Sequence, residues 1–311
     1  MSSPSKLIPS SSDIPWQEGF REIQCYGDSQ VSEALARLVS DSQFTSSLLT
    51  LFGSAHSLIE QLPELEAIDT IDGLQNWIEK RIFPLVKSSY TDFSVSGLEN
   101  LDKTQSYTFI SNHRDIVMDP LLLNQALRMQ GFSTATCAIG DHLLKHPSAT
   151  DLALLNRCFK IFRSIKSPRA ILNAMKTQSA SIQFFHFNRQ ENTWIAQKEG
   201  RAKDNIDKTN PALIKMLGLS RPSGYSSEEY FELLNIVPVC FSYEWDPCDT
   251  DKASQLNNQK DDLNYQKNTL DDLIATEKGL KGNKGQIHLH FGEPISRSNI
   301  SNDGDTILDH K

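Results

Sequence analysis

The chain has 311 residues, 38% of them hydrophobic and 23% charged, and a formal net charge of −8. That length supports a sizeable core, the composition is that of a soluble globular protein, and the acidic balance excludes generic binding to nucleic acid. The five cysteines, Cys25, Cys137, Cys158, Cys240 and Cys248, are odd in number and no two have C-x-x-C spacing. They read as reduced thiols of a cytosolic protein. Cys240 and Cys248 lack the accompanying His/Cys cluster that a metal site needs.

The first residues, MSSPSKLIPSSSDIP, read as a disordered tail over 1–14 with no apolar leader. No window of about 18 apolar residues follows, so any contact with a membrane is expected to be peripheral. From Val31 the pattern becomes helical. Val31, Ala34, Leu35, Leu38 and Val39 keep the i, i+3, i+4, i+7 spacing, Phe44 to Leu62 continues it, and Ile71 to Val86 carries another broad apolar stripe. Pro84 is expected to kink or end that last helix. Residues 15–90 therefore read as a helical N-terminal region without a chemical motif.

After Ser89 short apolar or β-branched runs alternate with helical stretches. The runs are Phe93–Val95, Thr108–Ser111, Thr136–Ile139, Phe159–Phe162, Trp194–Ala196, Ile236–Phe241 and Ile287–Phe291. The helical stretches include Pro120–Met129, Pro168–Ser181, Pro211–Leu217 and Glu228–Leu234. This alternation predicts an α/β fold with a mixed, largely parallel sheet flanked by helices, in which a site gathers at the carboxyl ends of strands. Asp246 to Gly285 is polar and reads as an exposed helix with loops.

Four stretches carry chemistry. In NHRDIVMDP a strand delivers His113 and a carboxylate follows at a helix start, a pairing suited to general-base work. HRD also occurs in the kinase catalytic loop, but the position that loop fills with Asn is Pro120 here, and no DFG or glycine-rich loop is present. In RCFKIFRSIKSPRA a cation recurs every third residue: Arg157, Lys160, Arg163, Lys166 and Arg169. No acidic residue lies between Asp151 and Glu191, so this segment of an acidic chain points at an anion. WIAQKEGRAKD brings Glu199, Gly200, Arg201 and Lys203 to a strand end; Gly200 permits a tight turn, Arg201 offers a fork for phosphate oxygens, and Lys203 adds a point charge. In NIVPVCFSYEWDP, Pro238 inside an apolar strand implies an edge, a bulge or a strand start.

In this order the four blocks resemble the signature blocks of the glycerol-3-phosphate and 1-acyl-sn-glycerol-3-phosphate acyltransferase family. VSGLENL at Val95–Leu101 and FGEPI at Phe291–Ile295 add to the resemblance, and the helical N-terminal region resembles a bacterial branch. The resemblance implies that residues 91–311 form the catalytic domain. It also implies that His113 is the base with an Asp of the same block behind it. Arg163, Glu199, Gly200 and Arg201 would bind the acceptor phosphate, helped by Lys166 and Lys203, with Pro238 beside the acyl donor. No metal or cofactor is implied, only acyl-CoA or acyl-carrier protein as co-substrate. The partners would be that thioester donor, a glycerol-phosphate-type acceptor and a peripheral membrane contact, on the cytoplasmic face and with no role for nucleic acid.

The chain departs from the family pattern twice. Where the family places Asp five residues after His, this chain has Met118; Asp119 lies six residues on and Asp115 two. Either a one-residue bulge brings Asp119 to His113 or Asp115 takes its place; the Pro-Leu-Leu-Leu that follows Asp119 matches the usual helix start and favours Asp119, with Asp115 as an N-terminal cap. The third block reads Lys-Glu-Gly-Arg-Ala where the family has Pro-Glu-Gly-Thr-Arg, so its Arg arrives one residue early. Two other readings remain: an acyltransferase for a non-phosphorylated acceptor, and an inactive relative that binds lipid.

Overall fold

The computed structural model describes residues 23–165, 167–198, 200–204, 206–262 and 269–297. The early apolar spacing forms helices α1 (Val31–Ser40), α2 (Ser42–Phe52), α3 (Ala55–Glu66) and α4 (Ile71–Arg81). Asp41 caps α2 by accepting from the Gln43 and Phe44 N–H groups, and Thr70 caps α4 through Gly73, so the chain reverses where these short side chains satisfy free helix-end donors. The broad stripe breaks after Arg81. Pro84 falls in the first turn of the separate α5 (Phe83–Val86), where the missing N–H removes no helical bond. Val31, Leu35, Leu38, Leu58, Leu74 and Trp77 pack into a core of their own.

Seven strands follow: β1 (Asp92–Ser96), β2 (Thr108–Ser111), β3 (Thr136–Gly140), β4 (Cys158–Ile161), β5 (Thr193–Ala196), β6 (Ile236–Tyr243) and β7 (Gln286–Phe291). They line up as β1-β7-β6-β2-β5-β3-β4, with every neighbouring pair parallel except β6 and β7. The mixed, largely parallel sheet expected from the alternation is thus present, with β2 at its centre. All four residues of β2 are buried, as a strand covered on both faces should be. Phe109 faces a core with Leu122, Leu123 and Leu127 of α6 (Met118–Met129). Ile110 faces the other way, toward Ile182 and Phe185 of α8 (Pro168–Phe187) and toward α9 (Pro211–Leu217) and α10 (Ser227–Leu233). Each such side chain contributes about 1.5–3 kcal/mol when fully buried.

Two helices exceed what the periodicity shows. α7 (Pro147–Leu155) packs Leu155 into the N-terminal helical core, and its Asp151 takes two 2.8 Å bonds from Arg37 of α1. α8 runs six residues beyond Ser181. Two of its buried polar residues are satisfied by their own bonds: Ser179 Oγ donates to the Leu217 carbonyl at 3.0 Å and Ser181 Oγ to the Thr177 carbonyl at 2.9 Å.

Pro238 corrects a positional expectation. It sits third in β6, a strand flanked on both sides, not at an edge, bulge or strand start. Pairing with β7 begins only at Val239, and the Pro238 carbonyl accepts from Gly292 at 2.8 Å just past the end of β7. The absent N–H therefore falls where β7 has already left, which is the one kind of place an inner strand tolerates proline.

The polar stretch after β6 is also more than an exposed helix. It forms α11 (Asp249–Asp261) and α12 (Thr269–Lys281), and Lys252 and Lys284 are buried. Lys284 Nζ donates to Ser89 Oγ at 3.0 Å and to the Gly282 carbonyl at 2.9 Å. Burial lowers its pKa, partly offset by the nearby Asp115. α12 lies directly on the turn after β2: a Cβ on Gly279 would stand 2.2 Å from Asp115 Oδ2. Gly279→Ala should therefore lower stability by about 1–3 kcal/mol, the usual size of an overpacked contact. Urea denaturation checks this, and an unchanged midpoint would show that α12 is free to move off the turn.

Candidate active site

The carboxyl end of the central strand is shaped by side chains acting in place of backbone. Beyond Ser111 the ladder to β6 is continued by the Asn112 amide: its Oδ1 accepts from Phe241 N at 2.8 Å and its Nδ2 donates to the Phe241 carbonyl at 3.0 Å. Both backbone groups of Phe241 stay satisfied while the chain at residue 112 turns out of the sheet. Trp194 Nε1 donates to Ser111 Oγ at 2.8 Å, and Ser111 Oγ donates to the Asn112 carbonyl at 2.6 Å. The Trp194 ring then meets the His113 ring edge to face, with centroids 5.6 Å apart. From the loop after β5, Ala202 N donates to the His113 carbonyl at 2.7 Å. His113 is thus fixed by β2, β5 and β6 together.

Asp119, in the first turn of α6 and 0% exposed, gathers the turn around itself. Its Oδ2 lies 2.8 Å from His113 Nδ1 and accepts the backbone N–H of Arg114 at 2.6 Å and of Asp115 at 3.1 Å. Its Oδ1 accepts the Tyr243 hydroxyl at 2.7 Å. These donors and the helix N-terminus offset the cost of burying the charge. The six-residue spacing is accommodated by Asp115, whose Oδ1 accepts from Val117 N at 3.0 Å and Met118 N at 2.9 Å. That local turn takes up the extra residue and lets the helix start one position later. Asp119 is therefore the carboxylate at His113, and Asp115 closes the turn that leads into the helix.

Burial, followed by the neighbouring Asp119, raises the Asp115 pKa; the same burial and the same neighbour, in that order, raise the Tyr243 hydroxyl well above its ordinary value. Further out, Arg114 pairs with Asp207. Lys252 of α11 pairs with Asp246 and donates to the Arg114 carbonyl at 2.8 Å. A helix from the polar stretch thus holds the backbone next to His113.

Of the other residues read from the sequence, Gly200 adopts a φ of +74°, the left-handed conformation that glycine takes without strain. Lys203 Nζ donates to Gln259 Oε1 of α11 at 3.4 Å. Arg201 follows β5, and its guanidinium reaches Cys248, beyond β6, where it partly offsets the burial of the thiol. Arg163 follows β4 and packs toward Gly140 at the end of β3, with Asp141 Oδ1 accepting its backbone N–H at 3.0 Å. The cation run and the third block thus reach the same sheet edge, with Arg163 beside Gly140 at the end of β3 and Arg201 beside Cys248, beyond β6. Glu199 and Lys166 lie outside the described residues. The residue reading missed Asn112, Trp194, Tyr243 and Lys252. Tyr243 stood in the fourth block, five residues after Pro238, whereas Lys252 gave no signal in its polar surroundings.

The raised Asp115 pKa yields a stability prediction. A carboxyl that holds its proton more tightly when folded contributes stability below the ordinary carboxylate value and loses it as pH rises through the raised folded value. Asn at this position keeps the Oδ1 acceptor and carries no charge. Asp115→Asn should gain stability relative to wild type as pH is taken from 4 to 8, followed by thermal melts. A variant that instead loses ground toward pH 8 would show that the ionised carboxylate is needed, for instance by Lys284.

The acyltransferase family model matches residues 92–210 of the chain, from β1 through the loop that follows β5. That span contains His113, Asp119, Arg163 and Arg201. No curated protein sequence matches the chain. Among solved structures it is similar to the 1-acyl-sn-glycerophosphate (LPA) acyltransferase PlsC from Thermotoga maritima, with 13% identity, a TM-score of 0.36, and coverage of 88% of this chain and 87% of that one. Residues 92–210 are thus similar to the acyltransferase family's domain.

Proposed function

We propose that the protein moves a fatty acyl group from acyl-CoA or acyl-carrier protein to a hydroxyl of a glycerol-phosphate-type acceptor, lysophosphatidate or glycerol 3-phosphate. The observation that carries this reading is the His113–Asp119 pair, 2.8 Å apart at the end of the central strand. With Nδ1 engaged by the carboxylate, Nε2 is the nitrogen left for a substrate proton. His113 takes the proton from the acceptor hydroxyl as its oxygen attacks the thioester carbonyl. The carbon–oxygen bond forms, the carbon–sulfur bond breaks, and the imidazolium returns its proton to the departing thiolate. Asp119 keeps the ring in one tautomer and stabilises it while it is charged. The reading needs no acyl-enzyme, metal or cofactor.

Arg201 supports the phosphate part of the reading. Its Nη1 is buried without a hydrogen-bond partner among the described residues, a donor that an anionic oxygen would satisfy. Lys203 and Glu199 belong to the same strand-end block and are proposed to serve the same acceptor. Arg163 and Lys166, from the cation run, would act on a neighbouring part of the substrate or on an anionic membrane surface. No described helix is long and apolar enough to cross a membrane, and peripheral contact at the cytoplasmic face is part of the proposal. Pro238, in β6 next to β2, is proposed to line the acyl-donor side.

Thiol release from long-chain acyl-CoA, followed across a panel of acceptors, tests the function. Turnover should require a phosphorylated glycerol acceptor. Turnover only with a non-phosphorylated alcohol would reject the acceptor assignment, and acyl-lipid binding without any turnover would reject the activity. Arg201→Lys should raise the acceptor KM about tenfold, because a lysine cannot reproduce the bidentate fork, with little change in the donor KM. Arg163→Lys should raise the acceptor KM less than Arg201→Lys does, since Arg163 is proposed to act beside the phosphate contact and not at it. Equal effects of the two would restore a single shared anion site.

A further inference from the structure

We infer that Tyr243 is a positioning residue of the reaction, acting through Asp119 to hold His113 in its working geometry. The inference rests on the acyl-transfer reading above and concerns the same site. Tyr243 closes β6, outside the residues that the family model matches. Its hydroxyl, donating to Asp119 Oδ1 at 2.7 Å, is the one hydrogen bond recorded to that oxygen among the described residues, whereas Oδ2 has the His113 ring and two backbone donors. A carboxylate held at one oxygen only is free to rock about its Cβ–Cγ bond. A donor on the second oxygen removes that freedom, and with it the spread of imidazole orientations.

The surroundings of Tyr243 suit a fixed donor and not a titrating group. The charges facing it are Asp119, Asp115 and Asp246. Asp246 is paired with Lys252, and Asp115 has Lys284 nearby. Burial first, and the neighbouring carboxylates after it, raise this phenol well above its ordinary value, so it keeps its proton where an imidazole base works. Tyr243 is therefore always a donor, and its strand fixes where the donor stands. Val239, Phe241 and Tyr243 pair with Phe291, Leu289 and Ile287 of β7, while the backbone of Phe241 is gripped by Asn112. One strand thus positions both the residue before His113 and the carboxylate behind it.

Tyr243→Phe keeps the ring and removes only the donor. It should lower kcat about tenfold, a change of about 1.4 kcal/mol, while KM for donor and acceptor stays within about twofold. In an Asp119→Asn background the same substitution should cost nothing further, because residues that act as one unit are non-additive. The low-field NMR resonance of the proton between His113 and Asp119 should move in Tyr243→Phe, a readout that does not require the acceptor to be known. If wild type turns over none of the acceptors, the function reading fails, and the resonance alone decides the role of Tyr243. A kcat within twofold of wild type, a full additional loss in the Asp119→Asn background, or an unmoved resonance would each overturn the inference. A lower melting temperature with kcat and resonance unchanged would make Tyr243 purely structural.

Discussion

A buried carboxylate surrounded by donors is the constraint on which this site depends. Asp119 is 0% exposed, and an ionised carboxylate there is tolerated only if its oxygens are satisfied. Two backbone N–H groups, one ring nitrogen and one phenol meet that demand. Because these donors come from the turn after β2 and from the end of β6, satisfying the charge also fixes the relation of those segments. The geometry of the His113–Asp119 pair and the solvation of the carboxylate are the same set of contacts.

The sheet order explains why the site lies where it does. β2 is central, β5 and β6 flank it, and all three run parallel. Their carboxyl ends therefore deliver His113, the Gly200–Lys203 loop and Tyr243 to one edge, as open α/β sheets do with their ligands. α11 and α12 lie against the same edge. Lys252 holds the Arg114 carbonyl, and Gly279 leaves room for the Asp115 carboxylate. A segment with almost no hydrophobic periodicity thus supports the turn by hydrogen bonds and close approach rather than by an apolar stripe.

That contrast accounts for what could be read from the residues alone. A short continuous run such as Thr108–Ser111 is legible because both faces of the strand are buried, and burial leaves a mark in composition. His113 with its carboxylate was legible as two alternatives, and the geometry decides between them: Asp119 Oδ2 lies 2.8 Å from His113 Nδ1, while Asp115 turns its Oδ1 to two N–H groups at the helix start. Tyr243, Trp194 and Asn112 were invisible as site residues because their roles arise from pairing between strands far apart in the chain. The grouping of Arg163 with Arg201 followed from strand ends alone, whereas the neighbours of each, Gly140 for Arg163 and Cys248 for Arg201, depend on packing.

The central claim is that Asp119, and not Asp115, stands behind His113, the proposed base. It is tested most directly by turnover of the single variants Asp119→Asn and Asp115→Asn, measured side by side as thiol release from acyl-CoA. An amide at 119 puts a donor or a weaker acceptor against His113 Nδ1 and disrupts the tautomer, an effect of at least about a hundredfold in related acid–base pairs. An amide at 115 preserves the turn and leaves the pair intact. The account predicts that Asp119→Asn loses at least about a hundredfold in kcat while Asp115→Asn stays close to wild type. The reverse order, or equal losses, would contradict it.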